Sequence, residues 1–410
     1  MAKNYPALYA SGNDAIALEQ KIFLKVETVR GTMVLPTGAD FIYHIGGGSV
    51  NFSQGIESSP HKSGRHHTSI IKQKTSTSWT LPTFFNIDTT LGGAGAGELD
   101  PGIKLLHKSM FGYENLVPSP VYNTTIPPDT TFTIMEIGDV WAKQAPGAFV
   151  ESANMTFPGD GQAQSEWAGM AKTMLLVGIG KSVTANAANI VTVATGEGKR
   201  FPVGGKVMII KTSNAKSGDT PAGTARTITS VTGDAVTLDG AVLTDSDGTV
   251  NPVYLVYFEP ESPVAINDPQ TGLVGSVTIA GFGTIDNCVR SLSINATNSH
   301  EVQDFCYGEA GLGGPLFTPG GRFTAEVSME LNLSKELVGF LNNLTSFDGD
   351  NITLILGSAS GRHLQIEMPK VIFPIPEISV PDTGTIPVTF TGSCYQSALD
   401  VGDEITVSYL

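Results

Sequence analysis

A polar–apolar alternation recurs in both halves of this chain, and it restricts the fold more than any single residue does. Near the front stands Ser49-Val50-Asn51-Phe52-Ser53-Gln54, and in the second half stands Ser291-Leu292-Ser293-Ile294-Asn295-Ala296. A period of two belongs to a strand with one wet face and one dry face. Each pattern is followed by a second echo, Met155-Thr156-Phe157-Pro158-Gly159 in the first half and Val388-Thr389-Phe390-Thr391-Gly392 in the second. The interval from Ser49 to Thr156 nearly equals that from Ser291 to Thr389. Two echoes in one order at similar spacing predict a duplication: two copies of one β-rich domain.

The chain has room for such a pair. Its 410 residues suit two or three domains, and 40% hydrophobic residues supply packed cores. With 47 Gly and 24 Pro, short strands and tight turns are favoured over long helices. The expected fold class is mainly β: two tandem sandwich or barrel domains, each with a flanking helix, and a small all-β insertion. The domains are placed at residues 1–178, 179–262 (the insertion) and 263–410.

Asp100-Pro101 opens one helix, since Pro is tolerated in the first turn, with Ile103, Leu106, Met110 and Phe111 as its apolar stripe. Ser334 caps the other, with Leu337, Phe340, Leu341 and Leu344 at helical spacing. In the insertion, β-branched runs at 190–193, 207–210, 227–231, 235–238 and 253–258 read as strands, with Thr232-Gly233-Asp234 as a hairpin connection. Residues 212–223, rich in Ser, Gly and Lys, read as a loop. Nothing in the other half matches the insertion, which reads as a peripheral module whose deletion spares the rest.

Several function classes find no support. The formal net charge of −15 opposes wrapping of DNA by phosphate neutralisation, but it suits a surface that DNA passes without sticking. No apolar run approaches bilayer length, and the N-terminus lacks the apolar core of a signal peptide, so synthesis in the cytoplasm is expected. Cys288, Cys306 and Cys394 have no metal or redox spacing and read as reduced thiols. Gly180-Lys181-Ser182 lacks the earlier glycine of a phosphate loop, Leu175 standing in its place. Gly357-Ser358-Ala359-Ser360-Gly361 has alanine where a nucleophile elbow needs serine. His61, His66 and His67 read as a solvated loop rather than a metal site. The Asp-Gly turns at 245–248 and 348–350 lack the closing Glu of a calcium loop. No cofactor, metal or catalytic residue is therefore assigned.

One strand pattern stands out. Along residues 322–332, Thr324, Glu326, Ser328, Glu330 and Asn332 share one face while Phe323, Ala325, Val327, Met329 and Leu331 share the other. Glu326 and Glu330 lie roughly 13 Å apart at strand rise, too far for a glycosidase pair. A solvated face accounts for them within one chain; a face that lines a cavity is the sharper reading.

These residues resemble the tail tube proteins (major tail proteins) of long-tailed bacteriophages. The resemblance is carried by Gly275-Ser276-Val277-Thr278-Ile279, by Val289-Arg290-Ser291-Leu292-Ser293-Ile294, and by the patterned strand 322–333 with its helix 334–344. Pro387-Val388-Thr389-Phe390-Thr391-Gly392 and Glu404-Ile405-Thr406-Val407-Ser408 complete it. It covers residues 265–410 and, more weakly, 20–178.

The resemblance implies β-sandwich tube domains flanked by a helix, six to a ring. Their strands join into an inner barrel, and rings stack into a conduit for genomic DNA. Two such domains per chain imply a trimeric, pseudo-hexameric ring, with a hexameric ring as the alternative. The implied place is the tail of a virion assembled in the host bacterial cytoplasm, with other tail proteins as partners. DNA would pass without specific binding, and no membrane is involved. The lumen-facing candidates are Glu326, Ser328, Glu330, Ser291, Ser293 and Asn295, with Ser49, Asn51, Ser53, Ser76 and Ser78 from the first domain. Lys72 and Lys74 add positive charge beside them. A β-sandwich adhesin or a capsid or tail decoration protein is the alternative reading, and an enzyme on a β scaffold is a third.

Overall fold

The computed structural model describes residues 5–11, 20–58, 70–85, 99–117, 119–183, 189–211, 224–240, 253–260, 275–280, 283–284, 289–303, 316–344, 349–357 and 363–410. The histidines of 61–67, Cys288, Cys306, the loop 212–223, and residues 245–248, 348 and 358–361 lie outside the described residues.

The chain is mainly β. A short helix, α1 (Tyr5–Ser11), comes first. The strands β1 (Lys21–Val26), β2 (Phe41–Ile42), β3 (Ser49–Ser58) and β4 (Ile70–Phe84) lead to α2 (Pro101–Phe111). Then come β5 (Tyr113–Asn115), β6 (Val121–Asn123), β7 (Phe132–Ile137), β8 (Ala142–Pro158), β9 (Gln164–Ala171) and β10 (Leu175–Val177). The middle holds β11 (Ile179–Lys181), β12 (Ile190–Thr192), β13 (Lys206–Lys211), β14 (Arg226–Thr232), β15 (Ala235–Leu238) and β16 (Val253–Tyr257). Next are β17 (Gly275–Ile279), β18 (Gly283–Thr284), β19 (Val289–Gln303), β20 (Leu316–Asn332) and α3 (Lys335–Asn343). The chain ends with β21 (Asp350–Gly357), β22 (His363–Ile372), β23 (Pro387–Tyr395) and β24 (Thr406–Tyr409).

One set of strand pairings occurs twice, in one chain order. The pairs β1–β2, β1–β7, β7–β8 and β8–β10 of the first unit recur as β17–β18, β17–β21, β21–β22 and β22–β24. Likewise β8–β9, β4–β9 and β3–β4 recur as β22–β23, β20–β23 and β19–β20. Each unit thus has an outer sheet and an inner sheet, linked by one long strand that serves both.

This correspondence corrects the second sequence echo. Residues 155–158 lie in β8, whose counterpart is β22, whereas residues 388–392 lie in β23, the counterpart of β9. They look alike because each is an inner-sheet strand with one wet face and one dry face, so alternation alone cannot tell them apart. The first echo does align, since β3 and β19 hold the same place.

Both helices start where the sequence places them. Pro101 stands in the first turn of α2, and Ile103, Leu106, Met110 and Phe111 are buried. Gly112 ends that helix at φ 82°, and a Cβ there would sit 1.9 Å from the carbonyl oxygen of Ile126. Only glycine fits. The hydroxyl of Ser334 accepts from the N–H of Leu337 at 3.2 Å, capping α3, whose Leu337 and Phe340 are buried.

The two units share one core. It runs from Trp79 and Phe132, stacked edge-on at 5.6 Å between the sheets of the first unit, to Val327, Ile366 and Phe390 of the second. The join is covalent in sequence but continuous in sheet: β8 pairs with β19 from Ser152↔Thr297 to Pro158↔Ser291. The ribbon β5–β6 adds to it through β6 and β24.

The middle strands form a separate sheet, β11-β16-β13-β14-β15-β12, and a bridge between Ser182 and Val193 links its two ends. This unit is not a detachable ornament, contrary to expectation. Its Val207, Leu255 and Tyr257 share a core with Tyr5 and with Phe23, Met135 and Ile137 of β1 and β7. The Tyr257 hydroxyl donates towards the carbonyls of Gly138 (2.9 Å) and Asp139 (2.8 Å). Its loss would uncover apolar surface on the outer sheet.

Candidate functional site

Seven inner strands lie side by side in the order β3-β4-β9-β8-β19-β20-β23. All are antiparallel, so residues of one parity face one way across the whole sheet. The dry face presents Val50, Trp79, Trp167, Met155, Leu292, Val327, Met329 and Phe390, all buried in the shared core. The opposite face is polar, and all eleven sequence-derived candidates sit on it.

The rows are visible in the register. Glu166, Asn154, Asn295, Glu326 and Ser393 are successive cross-strand partners. The next row is Gln164, Thr156, Ser293, Ser328 and Thr391, and after it Pro158, Ser291, Glu330 and Thr389. In the first unit Ser49 pairs with Thr80, Asn51 with Ser78 and Ser53 with Ser76. Asn51, Ser53, Ser76, Ser78, Asn295 and Glu326 are exposed; Ser49, Ser291, Ser293, Ser328 and Glu330 are half-buried by neighbours on the same face.

Hydroxyls on this face bind each other. Ser53 and Ser76 are 2.7 Å apart through their Oγ atoms, and Ser328 and Thr391 are 3.3 Å apart. Glu330 is held by Arg290 at 2.9 Å, an exposed pair worth at most about 1 kcal/mol. Glu166 and Glu326 lie in one row of the register. The side chains of Lys72 and Lys74, in β4, are not among those described. The surface is thus dense in short hydroxyl and amide groups with a modest excess of carboxylate. Among the described residues of this wall, the cation Arg290 is paired with Glu330, so the wall offers a polyanion no array of free cations.

Sequence reasoning missed the contributions of β8, β9 and β23: Asn154, Thr156, Gln164, Glu166, Thr389, Thr391 and Ser393. Their signal was present in the same alternation, but in β9 the buried positions are Ser165, Trp167, Gly169 and Ala171, so the dry face reads weakly.

Behind the polar sheet, buried charge is matched. Glu136 accepts from the N–H of Val50 at 2.9 Å, from Lys143 at 3.1 Å and from Gln20 at 2.7 Å, pinning the start of β3 to the outer sheet. Burial pushes the Cys394 thiol up to about 12, leaving it an inert core residue. Among the described residues no three His, Cys, Asp or Glu side chains gather as a metal site, and no helix is long and apolar enough to cross a membrane.

No protein-family model matches this chain, and a search of curated proteins finds no significant match. The functional reading therefore rests on the sheet itself.

Proposed function

We propose that this chain is a duplicated tail tube protein of a long-tailed bacteriophage virion, three copies closing into a pseudo-hexameric ring that stacks into a conduit for DNA. The observation that carries the reading is the β8–β19 join. It welds two like-paired units edge to edge, so that their wet faces form one continuous, mostly polar wall and their dry faces one core. A ring repeats that join between chains. Closure also disposes of free sheet edges, which otherwise invite uncontrolled pairing.

The wall's chemistry suits passage rather than capture. A duplex sliding past Ser, Thr, Asn and Glu side chains meets no array of cations to release its counterions onto. Electron microscopy of the purified protein tests the proposal. Rings or tubes with a central hole are expected; a protein that stays monomeric at high concentration contradicts it and favours an adhesin or decoration role.

A further inference from the structure

One difference between the two repeats falls at the free end of the inner sheet. In the first repeat, β8 runs on past its outer-sheet half and lays residues 152–158 between β9 and β19. Its counterpart β22 meets β23 only at Lys370, Val371 and Ile372 and ends there as a strand. Residues 373–386, which follow, belong to no strand. The inner sheet of the second repeat therefore has three strands where that of the first has four.

The other end of the sheet is β3, whose sole strand partner among the described residues is β4. The N–H of Val50 is already held by Glu136, and main-chain groups alternate in direction along an antiparallel strand, so the next amide facing away from β4 is that of Phe52. Exposure records what is missing. Phe52 is 41% exposed, whereas Ile294, which holds its place in β19 beneath the cover of β8, is 0% exposed.

The geometry points to residues 374–386 as the absent fourth strand, formed when this segment lies along β3 of a second copy of the chain. The inference rests on the ring reading above and specifies the seam of that ring. Glu377-Ile378-Ser379-Val380 repeats the polar–apolar order of Asn154-Met155-Thr156-Phe157 in β8. In β8 that apolar pair is covered, Met155 at 0% and Phe157 at 4%; Ile378 is 44% and Val380 71% exposed. Large apolar side chains exposed on both prospective partners, at the position where the other repeat buries its own, mark a surface that a copy completes.

The prolines fit this role. Pro374, Pro376 and Pro381 have no N–H, which blunts the segment against chance pairing, while the four residues between Pro376 and Pro381 keep donors and acceptors. With the added strand each chain supplies eight to the wall. Three chains then give an annulus of roughly 115 Å circumference at the usual strand spacing, about 37 Å across its backbone.

Amide hydrogen exchange on the free chain and on assembled particles tests the seam, with sedimentation reporting assembly separately. In rings, the amides of residues 377–380 and of Phe52 are expected to exchange about ten-fold more slowly than in the free chain. Rings in which residues 377–380 exchange at the free-chain rate overturn the inference, as do rings in which β3 alone is protected, and in both cases the ring reading survives. A chain that never sediments as more than a monomer overturns the ring reading and this seam with it. Val380→Asp and Phe52→Asp alter side chains exposed in the single chain, so each variant is expected to keep the thermal midpoint of the parent while losing rings. Rings formed normally by either variant overturn the assignment.

Discussion

The Tyr409 hydroxyl lies 3.1 Å from Nε2 of His107, tying the last strand of the chain to the helix of its first repeat. Nδ1 of His107 lies 2.9 Å from the carbonyl oxygen of Ile103, which can only accept. The ring proton is therefore on Nδ1, and Nε2 receives the Tyr409 proton. Phe85, Phe111, Tyr122 and Trp167 surround the imidazole. This contact, with the β8–β19 join, makes the two repeats one body.

Acid should weaken that body through His107. Burial lowers its pKa from 6.5 to about 4, so between those values the unfolded chain binds a proton that the folded chain refuses. Its contribution is present in full above pH 6.5 and is lost as pH falls towards 4, by up to about 3 kcal/mol. Urea unfolding across this range should show the slope, and His107→Phe should flatten it.

Tyr409→Phe removes the donor and leaves a buried Nε2 unpaired. The expected loss is about 1–3 kcal/mol, read as a lower denaturation midpoint with an unchanged denaturant slope.

Phe132 packs between the sheets of the first repeat against Trp79. Phe132→Ala should cost about 3–5 kcal/mol, because close-packed sheets collapse poorly onto the cavity. Ser334→Ala, by contrast, removes one cap bond and should cost about 1 kcal/mol. Parallel unfolding curves distinguish the two magnitudes.

Glu326→Lys combined with Glu330→Lys places cations on the polar face and breaks the pair with Arg290. Both side chains face away from the core, so assembly should be kept while DNA passage slows. Ejection kinetics from particles carrying the variant measure this; unaltered kinetics would remove these residues from the lumen.

Deleting residues 181–261 should give a poorly soluble product, since Phe23, Met135 and Ile137 lose the partners that cover them. The deleted chain is expected to bind a hydrophobic dye and to lose stability. A soluble chain of parental stability would show that the module is dispensable after all.

The strands with strict alternation were legible from sequence because one face is core and the other is wet: β3, β19 and β20 all announce themselves. Both helices were legible from Pro101 and Ser334. The seventeen-residue β8 was not. It is buried on both faces along residues 142–149 apart from Lys143, contains Pro146 and Gly147, and turns from one sheet into the other, so no single period describes it. The same bend hid the true equivalence of β8 with β22, while the alternation common to inner-sheet strands gave the misleading echo at 155–159. The seam segment was hidden for another reason: its alternation is four residues long and broken by prolines, and only comparison with the repeat shows what it lacks.

On the proposed function, a like-paired, duplicated chain closes a ring three at a time around a polar wall. The rotational symmetry of one isolated ring, read from averaged electron micrographs, decides between three chains and six. An open annulus with true three-fold and approximate six-fold symmetry is expected; a strictly six-fold annulus, or particles with no central opening, would rule out three duplicated chains per ring.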